Sequence, residues 1–341
     1  MKYTTIKDIA NELGISKSTV SRALNGDTLN VSKHTRQLIM DTATRMGYRR
    51  NEMAVNLRSR SSHVVGIIVP EITTPFSMSF ISAVQKQMRR QGYSVSIAFS
   101  DEKPAIERAN LEMFNKTRVD GILISAAHNT ANLDIYQTFL NQRIPLVFFD
   151  RTITDIPVPC VKSNDYIKSF FLVEHLIYSG KRKILHLAGP GHIQNAIDRR
   201  SGWRDALEKF NIPYSPHMSV TCGVKVADGA KAIEDALARG LEFDSVFCFT
   251  ETQALGAKSC LQEHNFRIPD DIAICCMSGT ELSTLVYPRI TAVEQQVDEM
   301  ARIASDLLME KIRDFASPDR TIVINSNMVV RGSTAGDETN D

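Results

Sequence analysis

One short segment near the start of the chain combines hydroxyl side chains with cations. Residues 14–26 read GISKSTVSRALNG. In a helix, the apolar residues would lie on one side, and the other side would carry Ser16, Lys17, Ser18, Thr19, Ser21 and Arg22. Short donors and acceptors with a few long cations suit the base edges and phosphates of a nucleic acid. Composition alone equally allows an ordinary capped surface helix, so both interpretations stay open.

A second group of polar residues directly follows apolar runs in the larger part of the chain. The positions are 73–76, 100–101, Ser125, 150–151, 250–251 and Ser278, with Arg199 and Arg200 after a GPGH loop. Ligands of open parallel sheets bind beyond the carboxyl ends of the strands, so one shared site is expected. Hydroxyls, an arginine fork and an aromatic face suit a small polar ligand. The alternative is that each residue only caps a helix.

Three helices are predicted to position the first group. Their ends, given by capping residues and glycines, are Thr5 to Gly14, Ser16 to about Leu24, and Ser32 to Gly47. In the third helix, four residues are expected to face inward: Leu38, Ile39, Thr42 and Met46. Two short helices joined by a turn with Gly, followed by a third helix, form a helix-turn-helix unit.

From residue 64 onward, apolar runs alternate with amphipathic stretches. The runs predicted to form strands are VVGIIVP, SVSIAFS, GILIS, LVFFD, KILHLAG, SVFCFT and IAICCMS. Helices are predicted at 76–91, 104–116, 131–142, 164–179, 195–210, 226–239, 251–264 and 294–315. Alternating strands and helices predict parallel sheets covered on both faces. So many units predict an α/β core of two doubly wound parallel-sheet subdomains behind an α-helical helix-turn-helix head.

The charge is unevenly distributed along the 341 residues, whose formal net charge is +1. Residues 1–60 contain eleven Lys/Arg and five Asp/Glu, and the rest is net negative. A basic head indicates an anionic partner, such as nucleic acid. No apolar run approaches the roughly 18 residues of a membrane span and no signal peptide is recognised, so a cytoplasmic protein without a membrane partner is predicted.

Nothing in the sequence predicts an enzyme, a cofactor or a metal site. G-x-S-x-G, H-E-x-x-H, Walker A and G-x-G-x-x-G patterns are missing, and the eight His have no ligand spacing. The GPGH loop at 189–192 is a weak phosphate-loop candidate and more typical of a plain βα loop. Six Cys without a C-x-x-C pair predict buried, reduced thiols, with Cys275 and Cys276 on opposite faces of a strand.

The motifs resemble those of the LacI/GalR family of bacterial transcription regulators. In the head they are TIKDIANELGISKSTVSRALNG, VSKHTRQLI and MGYRRNEMAVNLRS, and in the core VVGIIVPEITTPF, RVDGILIS, IPLVFFDR, VEHLIYSGKRKILHLAGP, RRSGWRDAL, ALGAKSCLQE, IPDDIAICCMS and NSNMVVRGST. The resemblance covers nearly the whole chain in order. It implies a DNA-binding head, a hinge helix, a core like periplasmic sugar-binding proteins, and homodimers on near-palindromic operators.

The resemblance also implies which residues meet DNA. Lys17, Ser18 and Arg22 match base-contacting positions, and residues 51–57 match a hinge helix whose Leu57 enters the groove. Arg50 stands where the family usually has Pro. The full set expected at DNA is Thr5, Ser16, Lys17, Ser18, Thr19, Ser21, Arg22, Asn25, His34, Arg49, Arg50, Asn51, Ala54 and Leu57.

For the small-molecule effector, the resemblance implies contacts from Phe76, Ser125, Asp150, Asn164, Arg199, Thr250 and Ser278. Two positions depart from the family: Ser278 replaces a frequent Asp, and Val224 replaces a frequent aromatic. Without that Asp, Arg199 is expected to be incompletely neutralised, which favours an anionic effector such as a sugar phosphate or sugar acid. A neutral sugar and a vestigial site remain the alternatives.

These observations predict a regulator, most simply a repressor, whose operator affinity depends on a sugar or sugar derivative. Expected boundaries are a head at 1–48, a hinge and linker at 49–62, a core at 63–332 and a disordered tail at 333–341. The core divides into 63–161 with 293–318, and 162–290 with 321–332, joined by crossings near 161–163, 290–293 and 316–321. No heptads follow Arg331, which favours a homodimer. The alternatives are a sugar sensor without DNA binding, or an α/β enzyme.

Overall fold

The computed structural model describes residues 4–27, 29–48, 61–72 and 74–335. The chain divides into two compact units, with the boundary between Ser62 and His63. This boundary agrees with the start predicted for the core. Among the described residues, every helix is too short or too polar to span a bilayer.

The first unit contains three helices: α1 Ile6–Leu13, α2 Lys17–Leu24 and α3 Lys33–Arg45. Thr5 and Asp8 form the predicted capping box of α1, and Gly14 ends the helix with a left-handed φ of 65°. Ser16 caps α2 by accepting from the Thr19 N–H at 3.1 Å. The helix-turn-helix prediction is confirmed.

A small apolar core holds these three helices together. It contains Ile9, Ala10, Val20, Ala23, Val31, Ile39 and Ala43. The prediction that Leu38 faces inward is wrong, because its side chain is 47% exposed. The buried face of α3 runs through Ile39, Thr42 and Ala43, and Leu38 is rotated about 100° from Ile39.

The second unit contains two six-stranded sheets, each covered by helices. The first sheet has the order β11-β5-β4-β3-β1-β2 and is parallel throughout. Its strands are β1 Val64–Val69, β2 Ser94–Phe99, β3 Gly121–Ile124, β4 Leu146–Phe149, β5 Cys160–Ser163 and β11 Thr321–Ile324. With helices α4 Pro75–Arg90, α5 Pro104–Thr117, α6 Leu133–Asn141 and α12 Val297–Arg313, it forms the N-lobe.

The second sheet has the order β12-β10-β9-β8-β6-β7, and only its edge strand β12 is antiparallel. The strands are β6 Ile184–Ala188, β7 Ser219–Thr221, β8 Ser245–Cys248, β9 Ala273–Gly279, β10 Thr291–Glu294 and β12 Asn327–Val329. With helices α7 Asp165–Tyr178, α8 Gln194–Lys209, α9 Val226–Ala238, α10 Glu251–Glu263, α11 Leu282–Leu285 and α13 Gly332–Ala335, it forms the C-lobe.

Three crossings join the lobes, between β5 and α7, between β10 and α12, and between β11 and β12. The predicted crossing at 316–321, and the assignment of residues 321–324 to the second subdomain, are wrong. After α12 the chain stays with the N-lobe, where β11 pairs with β5, and crosses only at residues 325–326. The other two predicted boundaries come too early along the chain. The N-lobe strand β5 extends to Ser163, two residues beyond 161, and the C-lobe strand β10 extends to Glu294, four residues beyond 290.

The start of the predicted disordered tail is ordered instead. Residues 332–335 form α13, in which Ser333 and Thr334 are buried. Ser333 Oγ donates to the Ile274 carbonyl at 2.6 Å and accepts from the Thr291 N–H at 2.8 Å. These bonds tie the segment to the C-lobe sheet. Residues 336–341 lie outside the described part of the chain.

Five of the six cysteines are buried as predicted, and Cys222 is half-buried. All six thiols are free, and Cys275 and Cys276 belong to the apolar clusters on opposite faces of the C-lobe sheet.

Candidate DNA interface and ligand cleft

The exposed side of α2 carries hydroxyls that are linked to one another. Ser16 Oγ lies 2.7 Å from Ser18 Oγ and 2.8 Å from Thr19 Oγ1. Val20 and Ala23 are buried on the opposite side. Because one side is fixed in the apolar core, the hydroxyl side of α2 is presented to solvent.

The two cations of α2 are available for an external anion. Lys17 and Arg22 are exposed, and neither has a carboxylate within ion-pair distance among the described residues. Arg45 on α3 differs, because its guanidinium lies 2.9 Å from the Glu12 carboxylate. Within the described part of the head, no ion pair therefore neutralises the cations of α2.

The other residues predicted at DNA fall into three groups. Thr5 is engaged in the α1 capping box, where its Oγ1 donates to Asp8 at 2.7 Å. Asn25 ends α2 and His34 lies in the first turn of α3, and both are exposed, whereas Ser21 is half-buried. The remaining predicted residues lie outside the described part of the chain: Arg49, Arg50, Asn51, Ala54 and Leu57.

One cleft in the second unit collects most of the predicted effector residues. Phe76 lies at the start of α4, and Ser125 and Asp150 follow β3 and β4. From the C-lobe come Arg199 on α8, Thr250 before α10 and Ser278 near the end of β9. The carboxyl ends of both sheets thus meet at one cleft, as the topology predicts. Thr74 also lines the cleft, and residue 73 lies outside the described residues.

Asn164 is the predicted effector residue that does not line this cleft. Its Nδ2 donates to Asn325 Oδ1 at 2.8 Å, and its Oδ1 accepts from the Ser326 N–H at 3.1 Å. The side chain therefore links the first and third crossings between the lobes.

The expectation that Arg199 lacks a neutralising carboxylate is wrong. Arg199 is 1% exposed. Its Nε and Nη2 lie 2.7 and 2.6 Å from Asp165 Oδ1, and its Nη1 donates to the Phe249 carbonyl at 2.6 Å. The guanidinium also stacks over the Phe249 ring, 4.5 Å from its centre. Asp165 at the start of α7 supplies the counter-charge that position 278 lacks.

The other arginine of the cleft is also paired. Arg151 is buried and forms a bidentate ion pair with Glu102, in which Nη2 donates to Oε1 at 2.9 Å. Both arginines that line the cleft therefore have an internal carboxylate partner.

Several acceptors in the cleft are weakly satisfied by the protein. Among the residues that the structure describes, the Asp150 carboxylate receives two long contacts, at 3.5 Å from Asn195 Nδ2 and 3.4 Å from Gln295 Nε2. Ser125 Oγ and Asn195 Oδ1 are buried with no hydrogen-bond partner in the described part of the chain. Buried polar atoms ordinarily have partners, so this group is ready to bind a polar ligand or water.

Asp150 has a distinctive electrostatic environment. Its backbone adopts a left-handed φ of 57° directly after β4. Burial raises the pKa of its carboxyl group, and the nearby Asp165 raises this pKa further, while Arg199 and Arg151 act in the opposite direction. Donors from a ligand would stabilise the charged carboxylate.

Two further polar residues of the C-lobe differ in their availability. Thr250 caps α10 through the Gln253 N–H at 3.3 Å and still lines the cleft. Glu251 is 2% exposed and accepts from the backbone N–H groups of Thr280 and Ser283, each at 2.8 Å. Glu251 is therefore a structural carboxylate.

The sequence-based set did not include Asn195 and Gln295, which approach Asp150 from the C-lobe side. A signal existed for Asn195, because it precedes Arg199 by four residues and so lies on the same face of α8. Gln295 had no such signal, because it lies in a crossing whose path depends on the packing of both lobes.

Comparisons with known proteins agree with this architecture. Residues 62–331 match the family model described as periplasmic binding proteins and sugar binding domain of LacI family. Residues 5–51 match the model described as bacterial regulatory proteins, lacI family. Together the matches cover the head and the two lobes.

Individual relatives align over nearly their full lengths. The ribose operon repressor of Halalkalibacterium halodurans is 27% identical over 338 residues, covering 99% of each chain. The probable HTH-type transcriptional repressor ExuR of Bacillus subtilis is 29% identical over 332 residues, covering 96% of this chain and 98% of the relative. A crystal structure of the Lac repressor dimer bound to operator and the anti-inducer ONPF matches with a TM-score of 0.86 at 22% identity, covering 98% and 99%, a likeness of fold.

Proposed function

The chain belongs to the LacI family of bacterial regulatory proteins, and we propose that this DNA-binding transcription regulator represses its target genes. The observation that carries this proposal is the exposed face of α2, where hydroxyls surround Lys17 and Arg22, two cations with no carboxylate at ion-pair distance in the described part of the chain. The second helix of a helix-turn-helix enters the major groove with such a face. Relatives named as repressors support repression and not activation of the target genes.

The proposed operator is a near-palindromic duplex bound by a homodimer. Two copies of a basic head read two half-sites that are related by the two-fold axis of the protein. In this arrangement α2 reads bases, and residues 49–57 contact the adjacent backbone and groove. The match to a repressor dimer on its operator supports this architecture.

Selection from a randomised DNA library tests the assignment of α2. Lys17→Ala and Ser18→Ala should each change the preferred bases, because a good base contact contributes about 1–3 kcal/mol of discrimination. Lys116→Ala, which removes an exposed cation from α5 in the N-lobe, is the matched control and should leave base preference unchanged. An unchanged preference in the Lys17→Ala variant would contradict the proposal.

We further infer that the effector is a neutral polyhydroxy compound, such as a free sugar. Both cleft arginines have carboxylate partners, so the described lining of the cleft offers no unpaired cation to an anionic ligand. The weakly satisfied groups, Asp150, Ser125 and Asn195, can accept from ligand hydroxyls. A ligand phosphate would instead come close to the Asp150 carboxylate. This proposal replaces the anionic effector that the sequence favoured.

Thermal unfolding with three matched compounds tests the charge of the effector. D-ribose, ribose 5-phosphate and ribonate are suitable, since one relative is named for the ribose operon. The neutral sugar should raise the melting temperature more than either anion. A larger shift with ribose 5-phosphate would contradict the inference, and no shift with any of them would call for a wider panel of neutral sugars.

Two serines provide a matched pair for the same assay. Ser125 and Ser305 both carry a buried hydroxyl without a hydrogen-bond partner among the described residues, but only Ser125 lines the cleft. Ser125→Ala should weaken the stabilisation by the sugar, and Ser305→Ala should leave it unchanged. Equal effects would argue against a ligand at Ser125.

The proposed role requires no catalysis, and it places the protein with the bacterial chromosome in the cytoplasm. Relatives named as repressors favour regulation over an enzyme. A sugar sensor without DNA binding is the remaining alternative. Sugar-dependent stabilisation in a protein that binds no duplex from a genomic fragment library would favour this alternative.

A further inference from the structure

Two histidines from different lobes stack against each other beside the ligand cleft. His128 lies in the N-lobe loop after β3, and His192 lies in the C-lobe loop after β6. Their ring centres are 4.8 Å apart and their planes differ by 9°. Ser125 precedes His128 by three residues and Asn195 follows His192 by three, and both of these residues line the cleft.

Hydrogen bonds hold the same two loops in place. The Asn129 N–H donates across the lobes to the His192 carbonyl at 3.0 Å. Within the N-lobe loop, the Thr130 N–H donates to His128 Nδ1 at 3.2 Å. A ring nitrogen can accept a hydrogen bond only while it is unprotonated, so this contact requires a free lone pair on Nδ1.

The charges around the stack disfavour a second positive charge. Burial lowers the pKa of His192, and His128 and Arg151 lower this pKa further, whereas Glu102 opposes them. Glu102 is already engaged with Arg151 in a bidentate ion pair. Two stacked imidazolium rings would also repel each other at this distance.

We propose that the His128–His192 stack is a pH-sensitive latch, which holds the two lobes together while His192 is neutral and releases them when His192 becomes protonated. The latch would make effector binding weaker in acid, and this consequence rests on the effector cleft proposed above. Because the latch holds at neutral or alkaline pH, the two lobes, which are joined by three crossings, close around a ligand most readily in that pH range.

The direction in which pH shifts the equilibrium between the latched and the open form follows from the linkage between protonation and closure. A histidine with a lowered pKa in the latched form favours the latched form at high pH, and this preference is lost as pH falls below its ordinary value of about 6.5. One pH unit below that value, protonation of a released His192 shifts the equilibrium toward the open form by at most about tenfold. A stack that contains an aromatic ring unable to take up a proton in place of His192 has no such dependence.

Hydrogen exchange of the Asn129 amide provides a direct readout, because this amide donates across the lobes. Exchange is measured by mass spectrometry on the full chain at pH 7.5 and pH 5.5, without sugar or DNA. Protection is expressed relative to the intrinsic rate at each pH. The β3 amides Gly121–Ile124 serve as the internal reference.

Three variants separate the latch from a general loss of structure. In the wild type, protection of Asn129 should fall by about three- to tenfold at pH 5.5 while β3 is unchanged. His192→Phe keeps an aromatic ring but cannot be protonated, so its protection should be independent of pH. His192→Gln should be less protected at both pH values, and the exposed His217→Phe should behave as wild type.

The proposal is overturned if the wild type shows no pH dependence at Asn129, or if His192→Phe keeps the wild-type dependence. The measurement needs no effector, so a failure of the proposed sugar to bind leaves this result intact. Conversely, a sugar that binds equally well at both pH values to a protein with a pH-dependent Asn129 amide would show that the latch does not control the cleft.

Discussion

Arginines serve opposite purposes in the two units of the chain. Arg22 on α2 is exposed and has no carboxylate within ion-pair distance among the described residues. Arg199 in the cleft is buried, with Asp165 as its ion-pair partner and Phe249 beneath its guanidinium. The first is available to a phosphate, and the second is already satisfied by the protein.

The difference shows that a cation near a predicted site indicates an anionic ligand only if its charge is unpaired. The head keeps its positive charge exposed, which suits a polyanion whose counterions are released on binding. The cleft pairs its cations internally and leaves acceptors such as Asp150 weakly satisfied. These two arrangements indicate DNA for one surface and a hydroxyl-bearing ligand for the other.

The largest expected effect comes from breaking the buried pair in the cleft. Asp165→Asn leaves the Arg199 charge buried without its carboxylate, so the free energy of unfolding should fall by about 3–5 kcal/mol. Urea unfolding followed by circular dichroism measures this. Lys183→Gln breaks the exposed pair with Glu242 and is the control, with an expected change within about 0.5 kcal/mol. Similar losses in the free energy of unfolding for both variants would show that the buried and the exposed ion pair contribute equally to stability.

A smaller effect is expected for the exposed arginine of the head. Arg22→Ala should weaken operator binding by about 1–3 kcal/mol if the side chain contacts a base. If the contact is to a phosphate, the slope of log K against log salt should decrease by about one. Fluorescence anisotropy at several salt concentrations distinguishes these results. Arg45→Ala is the control, since Glu12 already pairs with Arg45, and an equal loss there would contradict the special role of α2.

Much of the fold follows from local sequence signals. The capping residues Thr5, Ser16 and Ser32 begin the three head helices as predicted. The long core helices were also predicted to within a few residues. Five strands of three or four residues, β5, β7, β10, β11 and β12, were not identified. Segments such as CVKS and SVT contain too few apolar residues to show the alternating pattern of a strand. They form strands because the edge of a neighbouring sheet is available for pairing.

The site was predictable in its place and less so in its electrostatics. Parallel-sheet topology, together with the family resemblance, located Ser125, Asp150 and Thr250 at one cleft. The partner of Arg199 was not predictable, because Asp165 is 34 residues away on another helix. A missing acid at position 278 therefore says little about the charge balance, which depends on side chains that meet only in the folded protein.

The smallest expected effect concerns the contribution of Asp150 to the stability of the fold. Burial raises the pKa of Asp150, so the folded protein disfavours its charged form relative to the unfolded chain. At pH 7 this reduces stability, and the penalty disappears when pH falls below the unfolded value of about 3.9, where both states are protonated. Asp150→Asn should therefore raise the urea midpoint at pH 7, with a gain that shrinks toward zero near pH 4.

Asp271 supplies the control for Asp150, because its pKa is lowered and not raised in the folded protein. Hydrogen bonds from Arg267 lower the pKa of Asp271 to about 2, so ionised Asp271 stabilises the folded state above the unfolded value, and this contribution is lost as pH falls toward 2. Asp271→Asn should thus lower the urea midpoint at pH 7. If Asp150→Asn also lowers the urea midpoint at pH 7, then ionised Asp150 stabilises the folded state. In that case the protein does not lose folding stability by keeping this acceptor available for a ligand.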